Sequence, residues 1–221
     1  MEKNKYSKVL TIILIVVIVG IIGTLGYIGY TILHDKETKE NYTEAATEFE
    51  KEILAGSGTT ASGGNRTLNA INTTGSSSSN KKYMENYEII GTIEIPKIDL
   101  HCTILAETTK RALEIAVAQI YTTSGLNQPG NTVLYGHNYR NQLFFSRNDE
   151  LVIGDKIYIF DQEGNKVTYE IFDIFITTST DTSFYARTFE DTEGKCEITL
   201  STCTDDASTT DRRLIVRASE V

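Results

Sequence analysis

Val9 to Leu33 runs for 25 residues without a charge and is dominated by Ile, Val, Leu and Gly. About 20 apolar residues suffice to cross a bilayer as a helix, so this run predicts a transmembrane helix with some tilt. The apolar core of a cleaved signal peptide is roughly 7–15 residues and ends at a small-residue site. This run is longer and ends in Tyr30-Thr31-Ile32-Leu33. Lys3, Lys5 and Lys8 precede it, and Asp35, Glu37 and Glu40 follow. The basic flank stays in the cytoplasm, so a single-pass protein with everything after Leu33 outside the cell is expected.

Beyond the apolar run the pattern changes three times. Residues 34–55 are highly charged but carry Tyr42, Ala45, Ala46, Phe49 and Ile53 at helical spacing, which fits an amphipathic stem helix as well as a solvated charged spacer. Residues 56–80 hold 5 Gly, 6 Ser, 5 Thr and 4 Asn, too little apolar material for a core, and read as a flexible linker. Residues 81–221 then show short apolar stretches separated by turn residues. Tyr87 to Ile98, Thr132 to Tyr135, Lys156 to Phe160, Lys166 to Thr177, Glu197 to Thr202 and Leu214 to Ala218 read as strands. Asp161 to Asn165, with Gly164, reads as a hairpin turn. Leu113, Ala116, Val117 and Ile120 recur at helical spacing, so one short helix is expected over Thr109 to Ile120. The organisation expected is a cytoplasmic tail at 1–8, a transmembrane helix at 9–33, a stem at 34–55, a linker at 56–80 and a folded head at 81–221. Seven or eight strands at this spacing suggest a mainly β barrel or sandwich.

Charge narrows the function. With 21 basic and 30 acidic side chains the net charge is −9, which argues against a nucleic-acid partner. Three cysteines are too few, and odd in number, for a disulfide scaffold. No Cys-x-x-Cys or His-x-x-x-His pair suggests a structural metal, and no cofactor is expected.

The chemistry-bearing residues separate by position. His34 abuts the apolar run and His101 lies in a strand-like segment, both suited to structural roles. His137 follows Gly136 at the exit of an apolar strand, a place suited to proton transfer. Cys102 reads as a small buried residue. Cys196 and Cys203 flank one strand seven apart and so face opposite sides. Cys203 opens a polar loop and is a candidate nucleophile. Arg212 and Arg213 begin the last strand, and a guanidinium beside a thiol can stabilise an oxyanion formed when the thiolate attacks a carbonyl.

Thr199-Leu200-Ser201-Thr202-Cys203 resembles the Thr-Leu-x-Thr-Cys signature of sortases, the cysteine transpeptidases of Gram-positive cell surfaces. Gly136-His137 is similar to their histidine motif, and Arg213-Leu214-Ile215-Val216 to their terminal arginine strand. The resemblance covers Ile90 to Ala218 and implies a closed sortase-type β-barrel of about eight strands with one or two short helices. It assigns Cys203 as nucleophile, His137 as acid and base, and Arg213 as oxyanion donor, with Arg212 the alternative that class A spacing would select. It further implies secreted proteins with a C-terminal sorting motif as substrates and a cell-wall precursor or pilin amine as acceptor. Class B- and class D-like features coexist, and no Asp-Pro-Trp or Asp-Pro-Phe lid motif precedes the head. A wall-binding β-domain without catalysis and a hydrolytic cysteine peptidase are the alternatives.

Overall fold

A computed structural model describes residues 3–56, 81–204 and 211–221. The expected linker therefore lies outside the described residues, apart from Gly56. Two compact units divide the chain, Met1–Glu40 and Asn41–Val221. A single helix, α1, runs from Lys3 to Gly56. It contains a stretch long and apolar enough to cross a membrane, with side chains such as Ile12, Val16, Ile22 and Leu33 exposed.

The second unit is a β-barrel. Its strands are β1 (Lys82–Met84), β2 (Tyr87–Ile95), β3 (Leu100–Leu105), β4 (Val117–Thr122), β5 (Gly130–Tyr135), β6 (Lys156–Asp161), β7 (Lys166–Thr178), β8 (Cys196–Cys203) and β9 (Arg212–Glu220). Neighbours follow the order β2-β3-β4-β5-β8-β9-β7-β6, and β6 pairs back onto β2, which closes eight strands into a ring. The short β1 adds only to the start of β2. Closure leaves no long unpaired edge, so the backbone groups of the wall are satisfied within it.

Alternation along each strand explains the filling. Ile93 and Ile95 of β2, Cys102 and Ile104 of β3, Leu134 of β5, Ile157 and Ile159 of β6, Ile198 and Leu200 of β8, and Val216 and Ala218 of β9 are buried in one core. Their odd-numbered or even-numbered neighbours point outward, as period-two geometry requires. On the outside, Val133, Phe184 and Ile215 form a second, small cluster with Phe175 and Tyr185 against it.

One sequence-based element is corrected. The helix expected over Thr109 to Ile120 spans only α2, Lys110–Ile115, capped by the Thr109 hydroxyl, which accepts from the Ala112 amide at 3.1 Å. Ala116 is extended, and Val117 onward forms β4. Val117 and Ala118 pair with Ile104 and Leu105, and Ala118 and Gln119 pair with Tyr135 and Leu134. Pairing on both sides overrides a weak helical spacing that contains β-branched residues. The turn expected at Asp161 to Asn165 forms, with Gly164 at φ +85° and the Asp161 carboxylate accepting from the amides of Glu163 and Asn165.

The stem residues Asn41 to Gly56 belong to the same compact unit as the barrel. Tyr42, Ala46 and Phe49 are buried and Ile53 is half-buried, the stripe that the helical spacing marks out. Phe49 meets Phe160 of β6 edge-on at 6.3 Å. The Glu50 carboxylate accepts from Thr92 of β2 at 2.5 Å and from the His101 ring of β3 at 2.9 Å. Thr43 donates to the His101 carbonyl at 3.1 Å. The helix thus covers the outer side of β2, β3 and β6, with His101 hydrogen-bonded to Glu50 beneath it.

Candidate active site

The site is assembled where β5 and β8 end side by side. These strands run parallel, with Leu134 level with Leu200 and Tyr135 with Ser201. The Gly136 amide continues the pairing by donating to the Ser201 carbonyl at 3.3 Å. In return the Thr202 hydroxyl donates to the Gly136 carbonyl at 2.7 Å. Gly136 is required by close approach, because a Cβ there would lie 2.8 Å from the Phe145 ring. The chain therefore leaves β5 locked against the last residues of β8, and His137 is the next residue out. Asn138 fastens the same exit, its side-chain amide donating to the Cys203 carbonyl at 3.1 Å.

Cys203 ends β8 and sits directly opposite Arg213 of β9. Opposed residues of an antiparallel pair project to the same side of the sheet, and adjacent residues to opposite sides. Arg213 therefore shares the thiol's face and is half-buried, whereas Arg212, paired with Thr178 of β7, is exposed and takes the other face. The shared face is the outer one. It also carries Tyr135, whose hydroxyl lies 3.5 Å from the Cys203 sulfur.

The three thiols differ as their positions imply. Cys102 is fully buried, and loss of solvent pushes its thiol up to about 12. Cys196, on the inner face of β8, is buried and donates weakly to the Asn127 carbonyl at 3.4 Å. Cys203 alone of the three is partly exposed. Burial raises the Tyr135 hydroxyl above its ordinary value and contact with Cys203 adds to this, while Arg213 pulls the other way. The phenol therefore stays protonated and can donate to the sulfur. His137 is held below the ordinary histidine value, mainly by burial, with the Glu114 carboxylate of α2 opposing. Its ring is flanked by Tyr135 at 5.9 Å and Tyr139 at 4.9 Å.

The geometry therefore gathers Cys203, Arg213 and the His137 exit at one end of the barrel. His101 lies elsewhere in this unit, hydrogen-bonded to Glu50, and His34 belongs to the other compact unit. Tyr135, Asn138, Thr202 and Glu114 had no role of their own in the sequence analysis. Thr202 entered there only within the Thr-Leu-x-Thr-Cys signature, and Tyr135 only as the last residue of the strand before Gly136-His137. A cleft of about 350 Å³ opens instead near the far end of β8, lined by Glu170, Phe172, Arg187 and Glu197, with Arg187 and Glu197 paired at 2.7 Å. It carries no thiol or histidine. Among the described residues, no three His, Cys, Asp or Glu side chains are grouped to hold a metal ion.

Comparison with known proteins bears on the family and on the barrel. The sortase-domain family model matches residues 93–221. Sortase A of Bacillus anthracis is 33% identical over 121 residues, 54% of this chain and 54% of that protein, so the match spans about half the relative's length. Among solved structures, sortase A from Corynebacterium diphtheriae is similar at 32% identity and a TM-score of 0.54, covering 61% of each chain. A Clostridium perfringens sortase D5 transpeptidase is similar at 25% identity and a TM-score of 0.54, over 84% of this chain and 97% of that one. Sortase C-1 from Actinomyces oris scores 0.54 as well, so the barrel is common to several sortase classes. The family match covers more than half of the 221 residues, and the chain belongs to the sortase family.

Proposed function

We propose that the protein is a membrane-anchored cysteine transpeptidase whose catalytic unit faces the cell exterior. The observation that carries this reading is the register that sets Cys203 opposite Arg213, with the His137 exit of β5 tied to the same strand end. A partly exposed thiol, an imidazole that burial biases toward its neutral form and a guanidinium on the thiol's face are the groups that acyl transfer through a thioester uses.

In this mechanism His137 takes the Cys203 proton, and the thiolate attacks the carbonyl carbon of a residue in the substrate's sorting motif. Arg213, on the thiol's face, stabilises the oxyanion that develops on the carbonyl oxygen. The C–N bond then breaks, His137 returns its proton to the leaving amine, and a thioester to Cys203 remains. An acceptor amine, deprotonated by His137, attacks the thioester. The new amide forms, the sulfur leaves, and the thiol is regenerated. Dividing one amide exchange into two steps lowers each barrier. The substrates are secreted proteins with a C-terminal sorting motif, and the acceptor is an amine of a cell-wall precursor or pilin. The likeness to a sortase D5 transpeptidase supports transfer.

The test is a peptide library offered to the protein with and without an added amine, read by mass spectrometry. Cleavage with amine incorporation, a thioester adduct on Cys203 and no turnover by Cys203→Ala are expected. Retained transfer in Cys203→Ala would refute the assignment of the nucleophile, and cleavage without amine incorporation would make the protein a hydrolase.

A further inference from the structure

A row of aromatic rings leads from the stem helix to His137. Tyr42 of α1 packs on Phe144 at 5.4 Å between centroids. Phe144 packs on Tyr139 at 6.0 Å, and Tyr139 on His137 at 4.9 Å. Tyr42 and Phe144 are buried, with 0% and 2% exposure, while Tyr139 is 45% exposed.

The loop between these rings is closed and strained. The Phe145 amide donates to the His137 carbonyl at 3.2 Å, and the Tyr139 amide donates to the Ser146 hydroxyl at 3.0 Å. Phe144 sits at φ +50° and Arg140 at φ +57°, left-handed conformations that bulky side chains avoid. Such a conformation persists only where the surroundings hold it. For Phe144 the surroundings include the Tyr42 ring, whose hydroxyl faces the Phe144 backbone without hydrogen-bond geometry. The contact is thus made by the ring rather than by the hydroxyl.

We propose that Tyr42 is a positioning residue for His137, acting through Phe144 and Tyr139. It rests on the reading of His137 as the proton carrier. The stem ring holds Phe144 in its left-handed conformation, which fixes the 137–145 loop and keeps the Tyr139 ring against the imidazole. Without the ring, Phe144 relaxes, Tyr139 leaves His137, and the imidazole samples orientations that do not reach the thiol. Small misplacements of a catalytic group lower the rate steeply. A role for the stem in the chemistry follows, although it lies more than 90 residues before the histidine in the sequence.

The experiment uses the full chain in detergent micelles and compares Tyr42→Leu, Tyr42→Phe and Phe49→Leu. Phe49 is the control because it lies on the same helix face but packs on Phe160, away from the loop. Turnover is read with the best library peptide, and the His137 ring is read by nitrogen-15 NMR. Only three histidines are present, so His34→Gln and His101→Gln variants assign the signals. Tyr42→Leu should shift the His137 signals and lower kcat by about 10–100-fold with little change in KM. Tyr42→Phe should keep both near the parent values, and Phe49→Leu should leave the His137 signals in place. Unmoved His137 signals and unchanged kcat in folded Tyr42→Leu would overturn the proposal. Equal effects from Phe49→Leu would also overturn it, since docking of the helix as a whole would then be responsible. His137 signals that move in a protein with no transfer activity would sustain the positioning role and refute the transpeptidase reading.

Discussion

Replacing Phe49 with Ala tests whether the stem helix is part of the folded unit. Phe49 is 2% exposed and meets Phe160 at 90° and 6.3 Å. Truncating a fully buried phenylalanine typically costs about 3–5 kcal/mol, because the transfer term and the residual cavity add. An edge-to-face pair contributes about 0.5–1.5 kcal/mol of that beyond area alone. The assay is urea unfolding of the 41–221 fragment, followed by circular dichroism. With a slope of about 2 kcal/mol per molar urea, a loss of 4 kcal/mol moves the midpoint down by about 2 M. A double-mutant cycle with Phe160→Ala should return a coupling of about 0.5–1.5 kcal/mol. The 81–221 fragment, which lacks Tyr42, Ala46, Phe49 and Glu50, should unfold at lower urea than 41–221. Equal midpoints for the two fragments, or a shift below about 0.5 M for Phe49→Ala, would show that the helix does not dock. The folded unit would then begin at residue 81, as the composition of the chain suggested.

Three further outcomes follow from the site. Arg213→Ala should lower the rate by about 10²–10³, the usual loss for one oxyanion donor, and Arg213→Lys should restore little because an ammonium lacks the planar fork. Arg212→Ala, on the other face, should change it only a few fold, and the opposite ranking in side-by-side kinetics would move the role to Arg212. Glu114→Gln should lower the His137 pKa further, since the carboxylate opposes the effect of burial, and NMR titration of the ring reads this directly. Because the folded His137 pKa lies below its unfolded value of about 6.5, the unfolded chain binds the proton more readily, so stability should fall as pH drops through that value. His137→Gln should flatten that part of the stability profile.

Much was legible in the sequence because it is local. An uncharged run of 25 residues is long enough for a membrane-crossing helix whatever follows it. Apolar residues at period two mark strands, and Tyr42, Ala46 and Phe49 at helical spacing mark the face of the stem that becomes buried. Seven residues in one strand also sent Cys196 inward and left Cys203 on the outer face. Closure and register were not local. Val117 and Ile120 end a weak helical spacing read over Thr109 to Ile120, and pairing with β3 and β5 made Val117–Thr122 a strand. Which arginine faces the thiol depended on the alignment of β9 with β8, and Tyr135 reaches Cys203 across 68 residues of chain. The contact of Tyr42 with Phe144 likewise required the helix to dock on the finished barrel. Sequence fixes how each segment alternates or coils, because those periods come from the backbone itself. Only the folded barrel decides which segments are neighbours, because pairing partners compete across the whole chain and the winning set is the one that closes the wall and fills the core.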